Sequence, residues 1–282
     1  MSANYADQCR PIGYRRVLLR NQNIKTKVVL FLLIVCFTIS TVMGWIGYEN
    51  GKAAIKNLSF NQLTSIRATK SSQLQSYLDL VGAQIITLGD NPTTIEAMKG
   101  FSQAFSDLKK EPNQTELTST LVANDSSVYA YYQNDFLPAL EAGSHRAQIL
   151  KQFLPNSFTT AYLQHHYIAE SQYPRGQKNA LNQANDGSQY SKVHDEFHGT
   201  LNRYLEKFGY YDIFLVDHNT GDIVYSVFKE ADFATNLRNG PYRRSNIASA
   251  YEEANALAPT DAPTFVEFDY YAPSYGAPAA FI

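Results

Sequence analysis

Two histidines four residues apart form the pattern in this chain that is most suggestive of chemistry. His194 and His198 bracket the segment HDEFH, and on a helix their rings would share one face, a spacing that can hold zinc. The zinc protease pattern has glutamate directly after the first histidine, where this chain has Asp195. A third ligand is not evident, although His165 and His166 are available. We expect hydrogen-bonded histidines, with a regulatory or structural metal, or a catalytic zinc, as the alternatives.

Other catalytic patterns are missing from the sequence. It has neither a glycine-rich phosphate loop nor a G-x-S-x-G elbow. We therefore predict that this portion is not an enzyme and has no cofactor, and a membrane-anchored metal-dependent hydrolase is the remote alternative. The chain carries a net charge of −2, and its acidic bulk argues against a nucleic-acid partner.

A small-molecule site is the better candidate, because residues 225–245 and 267–275 combine aromatic rings with a few charges and turns. Aromatic walls with a few polar groups are typical of ligand pockets. The predicted ligand-binding residues are Tyr225, Phe228, Lys229, Tyr242, Arg243, Ser245, Asp269 and Tyr271. Asp232, Tyr270 and Tyr275 belong to the same stretches. A cation, Lys229 or Arg243, together with Asp269 would suit a zwitterion or a carboxylate. The alternative is that the tyrosines pack against a sheet edge and the charges are solvated.

An uncharged apolar run precedes these segments at residues 28–48, VVLFLLIVCFTISTVMGWIGY. As a helix it would span about 30 Å, which is the thickness of a bilayer's hydrocarbon core. Trp45 and Tyr48 lie at the end of the run, where such rings favour the headgroup region. A cleaved signal peptide would have a shorter run and small residues at its end, so we predict an uncleaved anchor.

The charges on the two sides of this run predict its orientation. Residues 1–27 carry six cations against the single acid Asp7, a net charge of +5, so residues 49–282 must carry −7. Positive flanks stay in the cytoplasm, which places the tail inside and the bulk outside. The exported part has no cysteine, because Cys9 lies in the tail and Cys36 in the apolar run. This suggests a bacterial envelope protein, held in the inner membrane with its bulk in the periplasm.

The exported part begins with a long predicted helix of about 40 residues. Apolar residues recur there at steps of three and four, and the pattern stops at Gly89-Asp90-Asn91-Pro92. The apolar positions are Ile55, Leu58, Leu63, Ile66, Leu74, Tyr77, Leu78, Val81, Ile85 and Leu88. We predict further helices over 93–108, over 117–140 with an end at Gly143, from 148 to 154, and over 193–207. Residues 170–192 are polar and rich in turn formers, and we interpret them as a surface loop.

The last segment has strand character. Residues 211–216 and 223–227 flank a turn at 217–222 and predict a β-hairpin. A helix is predicted at 245–257 with Ser245 as its N-cap, followed by strands at 264–270 and 279–282. The apolar end would leave an unpaired strand edge, so we expect a fragment of a longer protein. The predicted fold class is α+β, with a basic tail (1–27), a transmembrane helix (28–48), a helical sensor region (49–209) and an incomplete antiparallel sheet domain (210–282).

The order of these elements resembles the sensory half of bacterial methyl-accepting chemotaxis proteins with Cache domains, which are extracellular and PAS-like. The closest stretches are GYYDIFLVDHNTGDIVYSVFKE, NGPYRRSNIASAYEEA and FDYYAPSYGAPAAFI. Sensor histidine kinases and nucleotide cyclases use the same exterior, so the type of output stays open. The resemblance implies a PAS-like sheet, a homodimer, and a pocket whose small-molecule ligand signals to cytoplasmic partners through a C-terminal region that these residues lack.

One departure from this family bears on the ligand. Amino-acid-binding Cache domains carry an arginine followed closely by Trp-Tyr, whereas this chain has Tyr242-Arg243-Arg244-Ser245. Its single tryptophan is Trp45. The amino-acid motif is therefore not met, and the resemblance does not identify the ligand.

Overall fold

A computed structural model describes residues 23–257 and 262–282. The predicted basic tail lies outside the described residues except for its last five positions. The chain divides into two compact units, Met1–Ser76 and Tyr77–Ile282.

Helix α1 (Ile24–Gly89) accounts for the described part of the first unit, and its last turns, from Tyr77, belong to the second. Among the described residues it is the one helix that is long and apolar enough to cross a membrane. The predicted apolar positions from Ile55 to Tyr77 are exposed, whereas Val81 and Leu88 are buried. The helix ends at Gly89, as the sequence predicts, because Pro92 begins the next helix with Asn91 as its cap.

The first half of the second unit is helical. Its α-helices are α2 (Pro92–Leu108), α3 (Gln114–Leu121), α4 (Ser127–Tyr131), α5 (Leu137–Ser144), α6 (Phe158–Gln164) and α7 (Gln189–Phe208). Two π-helical turns interrupt them, the first at Tyr132–Phe136 and the second at His165–Ala169. Short 3-10 turns lie at Leu150–Gln152 and Lys178–Ala180.

Three of the predicted boundaries in this half are wrong. The single helix over 117–140 is divided, because Ser126 accepts a hydrogen bond from the backbone of Tyr129 and starts α4 anew. Residues 148–154 form only a 3-10 turn. Helix α7 begins at Gln189 rather than at 193, since the Ser188 hydroxyl accepts a bond from the Ser191 amide and caps the helix.

The predicted strands are present, but they form two separate pairs in the part of the chain that the structure describes. Strand β1 (Phe214–Val216) pairs antiparallel with β2 (Ile223–Ser226), which confirms the hairpin. Helix α8 (Asn246–Ala256) follows, and then β3 (Val266–Tyr270) pairs with β4 (Pro278–Phe281). The fold is therefore mixed helix with small antiparallel sheets.

The main core of the second unit joins the helices to the first hairpin. Phe101 of α2 packs against Tyr190 of α7 and Tyr225 of β2, with ring centroids 5.4 and 4.7 Å apart. Side chains from both sides of the predicted boundary at residue 209 therefore share this core. Gly100 lets α2 approach α7, because a Cβ there would lie 3.0 Å from Val193. A smaller core holds α8 against β2 and Tyr271.

Candidate functional site

Helix α7 places His194 and His198 on one buried face, with stacked rings whose centroids are 4.4 Å apart. Nδ1 of His198 lies 2.7 Å from the Tyr225 hydroxyl, and Nε2 lies 2.7 Å from the Asn179 carbonyl oxygen. Nδ1 of His194 is bonded to the carbonyl of Asn182. Within residues 23–257 and 262–282, no group of three metal-binding side chains assembles. The pair is hydrogen-bonded, and its donors hold the backbone of a neighbouring segment.

Both histidines are held neutral. Burial, and then the nearby Lys229, lower the pKa of His194 well below its usual value and that of His198 to about 3. A carbonyl oxygen can only accept a hydrogen bond, so Nε2 of His198 carries its proton and donates to Asn179. Its Nδ1 is then free to accept from Tyr225.

The segment that these histidines hold is the connection between the second π-turn and α7. We call residues 170–188 the strap. The prediction of a surface loop is wrong for its centre, because Lys178 and Leu181 are buried. Nζ of Lys178 lies 3.7 Å from Oε2 of Glu230 and 5.4 Å from the centre of the Tyr131 ring. The histidine bonds and this ion pair draw the strap inward.

The predicted ligand-binding residues divide into buried and exposed sets. Tyr225, Lys229, Tyr242 and Tyr271 are buried, and Phe228 and Ser245 are half-buried. Arg243 and Asp269 are exposed, and Arg243 donates to the carbonyl of Gly240. Nζ of Lys229 donates to the carbonyl oxygens of Val227, at 2.8 Å, and Lys178, at 3.4 Å. The structure therefore does not pair either cation with Asp269.

Ser245 and Phe228 have local roles. Ser245 occupies the N-cap position of α8 but donates its hydroxyl to the Tyr242 carbonyl instead of capping the helix. Phe228 stacks on Tyr211, with ring centroids 6.3 Å apart.

A cluster of buried polar groups surrounds Tyr242 and Tyr271, and we call it the tyrosine–carboxylate cluster. Its members are Tyr131, Tyr132, Lys178, Glu230, Asp232, Tyr242 and Tyr271, together with the half-buried Tyr275. Four of its buried polar atoms have no hydrogen-bond partner among the described residues: the hydroxyls of Tyr131 and Tyr242, Nζ of Lys178 and Oδ1 of Asp232. Lys178 is ion-paired with Glu230, but each of the other three costs about 1–3 kcal/mol when buried without a partner, and a bound water, ion or small molecule would reduce that cost.

The two carboxylates of the cluster lie on a strained loop at residues 229–235. Lys229 and Ala234 have positive φ angles of 53° and 63°, a conformation that side-chain-bearing residues rarely adopt. Strain of this kind is maintained only where surrounding contacts impose it, and it concentrates at functional sites.

Contacts from the helical region hold this loop in place. The Gln164 amide donates to the carbonyl oxygens of Ala231, at 3.0 Å, and Phe233, at 2.8 Å, and it accepts from the Tyr132 hydroxyl. Thr160 donates to the carbonyl of Ala234 at 2.7 Å. Tyr132 begins the first π-turn and Gln164 directly precedes the second, and such turns are frequent at functional sites.

Burial dominates the electrostatics of the site. It raises the pKa of Asp232 to about 7 against the opposing hydrogen bond from Tyr271, and it raises the pKa of Asp212 to about 6. It lowers the pKa of Lys229 to about 7 and also lowers that of Lys178. These groups hold their charge at a cost that a bound molecule of complementary charge would reduce.

An open groove lies apart from the cluster, along the last turns of α7. It is lined by Thr200, Arg203, Tyr204, Glu206, Lys207 and Phe208. We regard the cluster as the candidate site, because a bound molecule could satisfy its buried atoms, whereas none of the unpartnered buried atoms among the described residues lines the groove.

Sequence reasoning located part of this cluster. The stretches 225–245 and 267–275 contain Asp232, Tyr242, Tyr271 and Tyr275. It missed Tyr131, Tyr132, Lys178 and Glu230, three of which come from helical or loop segments distant in sequence. The run of three tyrosines within residues 129–132 was the one available signal.

No known protein family, curated protein or solved structure matches this chain at a significant level.

Proposed function

We propose that this chain is the ligand-sensing part of a membrane-anchored receptor of the chemoreceptor type. The chain would bind a small molecule at the tyrosine–carboxylate cluster and relay the binding across a bacterial inner membrane. The observation that carries the proposal is the set of buried polar atoms in the cluster that lack a hydrogen-bond partner among the described residues. The apolar run of α1 supports the anchor, and the resemblance to Cache sensors supports the class.

Contacts within the second unit offer a route from the cluster to α1. Helix α7 carries the histidines that hold the strap, and the strap carries Lys178 into the cluster. At the other end of α7, Tyr204 donates to the backbone carbonyl of Gln84 in α1 at 2.9 Å. Tyr210, which follows α7, donates to the side chain of the same Gln84. A ligand that prefers one position of the strap would thereby bias the position of the end of α1.

A small-molecule library screened by thermal unfolding tests the binding proposal. The full chain is held in nanodiscs, and unfolding is followed by the near-UV circular dichroism of its tyrosines. We expect at least one compound to raise Tm, because a ligand that binds only the folded state stabilises it. Lys178→Met should weaken the effect, whereas Lys192→Met, at an exposed position on α7, should leave it unchanged.

Two results would contradict the proposal. One is a library in which no compound stabilises the native chain. The other is stabilisation that Lys178→Met and Tyr242→Phe both leave intact, since the compound would then bind elsewhere. The proposed orientation is tested separately by a reporter enzyme fused near residue 150, which should be active outside the cytosol.

A further inference from the structure

Two buried hydrogen bonds attach the strap to α7, and both come from histidines. His194 is 0% exposed and donates through Nδ1 to the carbonyl of Asn182. His198 is 1% exposed and donates through Nε2 to the carbonyl of Asn179. Among the described residues, every hydrogen-bond partner of the two rings is an uncharged group, so no bonded carboxylate would stabilise an added proton.

The groups packed around the rings also disfavour a positive charge. Phe101 of α2 contacts His194 edge-on, with ring centroids 6.0 Å apart. The titratable groups that face the pair are Tyr167 of the second π-turn, Tyr190 of α7, Tyr225 of β2 and Lys229 of the strained loop. Burial raises the pKa of each of these tyrosines, so they stay neutral. Burial lowers the pKa of Lys229 to about 7, so at acidic pH a protonated histidine would face a second cation.

The nitrogen that would take up a proton is identifiable in each ring. Because Nδ1 of His194 donates to a carbonyl oxygen, Nε2 is the unprotonated nitrogen of that ring. This Nε2 is buried and has no partner among the residues that the structure describes, so a proton added there would meet no acceptor. In His198 the proton would go to Nδ1, which would then lose the hydrogen bond that it accepts from Tyr225. Both rings can therefore bind a proton at low cost only after they leave this pocket.

We propose that His194 and His198 form a latch that releases the strap from α7 at acidic pH. Imidazole in water has a pKa of about 6.5, so below that pH each released ring binds a proton that the closed pocket excludes. This proton binding shifts the equilibrium toward the open strap. Opening would also withdraw Lys178, which the strap carries, from Glu230. The inference goes beyond the proposed function, because the latch works without a ligand at the cluster.

Amide hydrogen exchange of the full chain in nanodiscs measures the opening of the strap. The amides of Ala180 and Leu181 donate to the carbonyls of Gln177 and Lys178, at 3.0 and 3.1 Å, so they exchange when this turn opens. Their protection factor, the intrinsic exchange rate divided by the observed rate, is compared at pH 7.5 and pH 5. With a released pKa of about 6.5, we expect protection to fall about 30-fold for each histidine and about 1,000-fold for both. Amides in the middle of α2 should keep their protection, because the opening is local.

Two substitutions keep the bonds to the strap and remove the titration. The side-chain amide of asparagine can replace Nδ1 of His194 as a donor, and that of glutamine can replace Nε2 of His198. We expect protection in the double variant His194→Asn with His198→Gln to be independent of pH, and each single variant to keep a fall of about 30-fold. His145→Asn is the matched control, because His145 is exposed and its φ of 53° is one that asparagine tolerates. This control should keep the native profile.

Three results would overturn the inference. The first is protection of Ala180 and Leu181 that does not change with pH in the native chain, a measurement that decides the question even if the double variant fails to fold. The second is a native pH profile in the folded double variant. The half-buried His166, which lies near Asp186 of the strap, would then be the group to test. The third is an equal loss of protection in α2, because the histidines would then stabilise the whole second unit and not the strap.

Discussion

The apolar run of α1 and the tyrosine–carboxylate cluster depart from the usual distribution of residues in opposite directions. In the run, large apolar side chains face outward, with Phe37 73% and Trp45 69% exposed. In the cluster, polar side chains are buried, with Asp232 1% and Lys178 2% exposed. Each arrangement is unfavourable for the chain in water alone. The comparison teaches that the described residues satisfy neither region, because large apolar side chains stay exposed in the one and buried polar atoms lack hydrogen-bond partners in the other.

The largest expected effect concerns the apolar run. Replacing Leu33 and Phe37 by lysine should cost about 3 kcal/mol for each charge placed near the middle of a bilayer. We expect most of the double variant to leave the membrane fraction in carbonate extraction. Leu58→Lys with Leu63→Lys is the control, because these exposed positions lie beyond the run. Equal extraction of the two double variants would show that the apolar run does not hold the chain in the membrane more strongly than the rest of α1 does.

The next effect concerns the cost of the charge on Asp232. Its folded-state pKa of about 7 exceeds the unfolded value of about 3.9, so the folded state binds the proton more tightly. Native stability is therefore greatest below pH 4 with respect to this group and is lost as the pH rises to about 7, by up to about 1.4 kcal/mol per pH unit. Asp232→Asn should lack this loss, so that its stability relative to native increases from pH 4 to pH 7.

Chemical denaturation of the full chain at several pH values, without ligand, measures this difference. Glu196→Gln, which removes an exposed acid of α7, is the control and should follow the native pH profile. A constant difference between Asp232→Asn and native across this pH range would mean that the carboxylate carries no excess cost.

The smallest effect compares two buried tyrosines. The Tyr190 hydroxyl donates to the carbonyl of Val224 at 2.7 Å, whereas the Tyr242 hydroxyl has no partner among the described residues. Tyr190→Phe should lower the free energy of unfolding by about 1–2 kcal/mol, because a buried carbonyl loses its donor. Tyr242→Phe should leave it unchanged or raise it by up to about 1 kcal/mol. Equal losses in thermal unfolding would show that the Tyr242 hydroxyl is satisfied in the unliganded protein.

Sequence patterns predicted the local elements well where a single chemical signal dominated. Pro92 with Asn91 marked the end of α1, and Asn219-Thr220-Gly221 marked the turn of the β1–β2 hairpin. The patterns failed where a side chain far away in sequence decided the outcome. Lys178 looks like a surface residue of a polar loop, and only the meeting of the strap with Glu230 buries it.

The candidate site was predictable only in part, for the same reason. The aromatic content of residues 225–245 and 267–275 indicated a pocket and included Asp232, Tyr242 and Tyr271. The sequence grouped Lys229 with Asp269 as contacts of one ligand. In the structure Asp269 is exposed, whereas Lys229 has a positive φ and its side chain bonds to carbonyl oxygens inside the protein. Neither conformation nor burial at that position can be read from composition.

The way the histidines hold the strap has a consequence for how this protein could diversify. His194 and His198 bond to the main-chain carbonyls of Asn182 and Asn179, groups that every residue type supplies. Substitutions in the strap can therefore change its side chains while the bonds from the two histidines to its main chain persist. Apart from its buried residues Lys178 and Leu181, the strap can therefore vary in sequence without changes in the helix to which it is bonded.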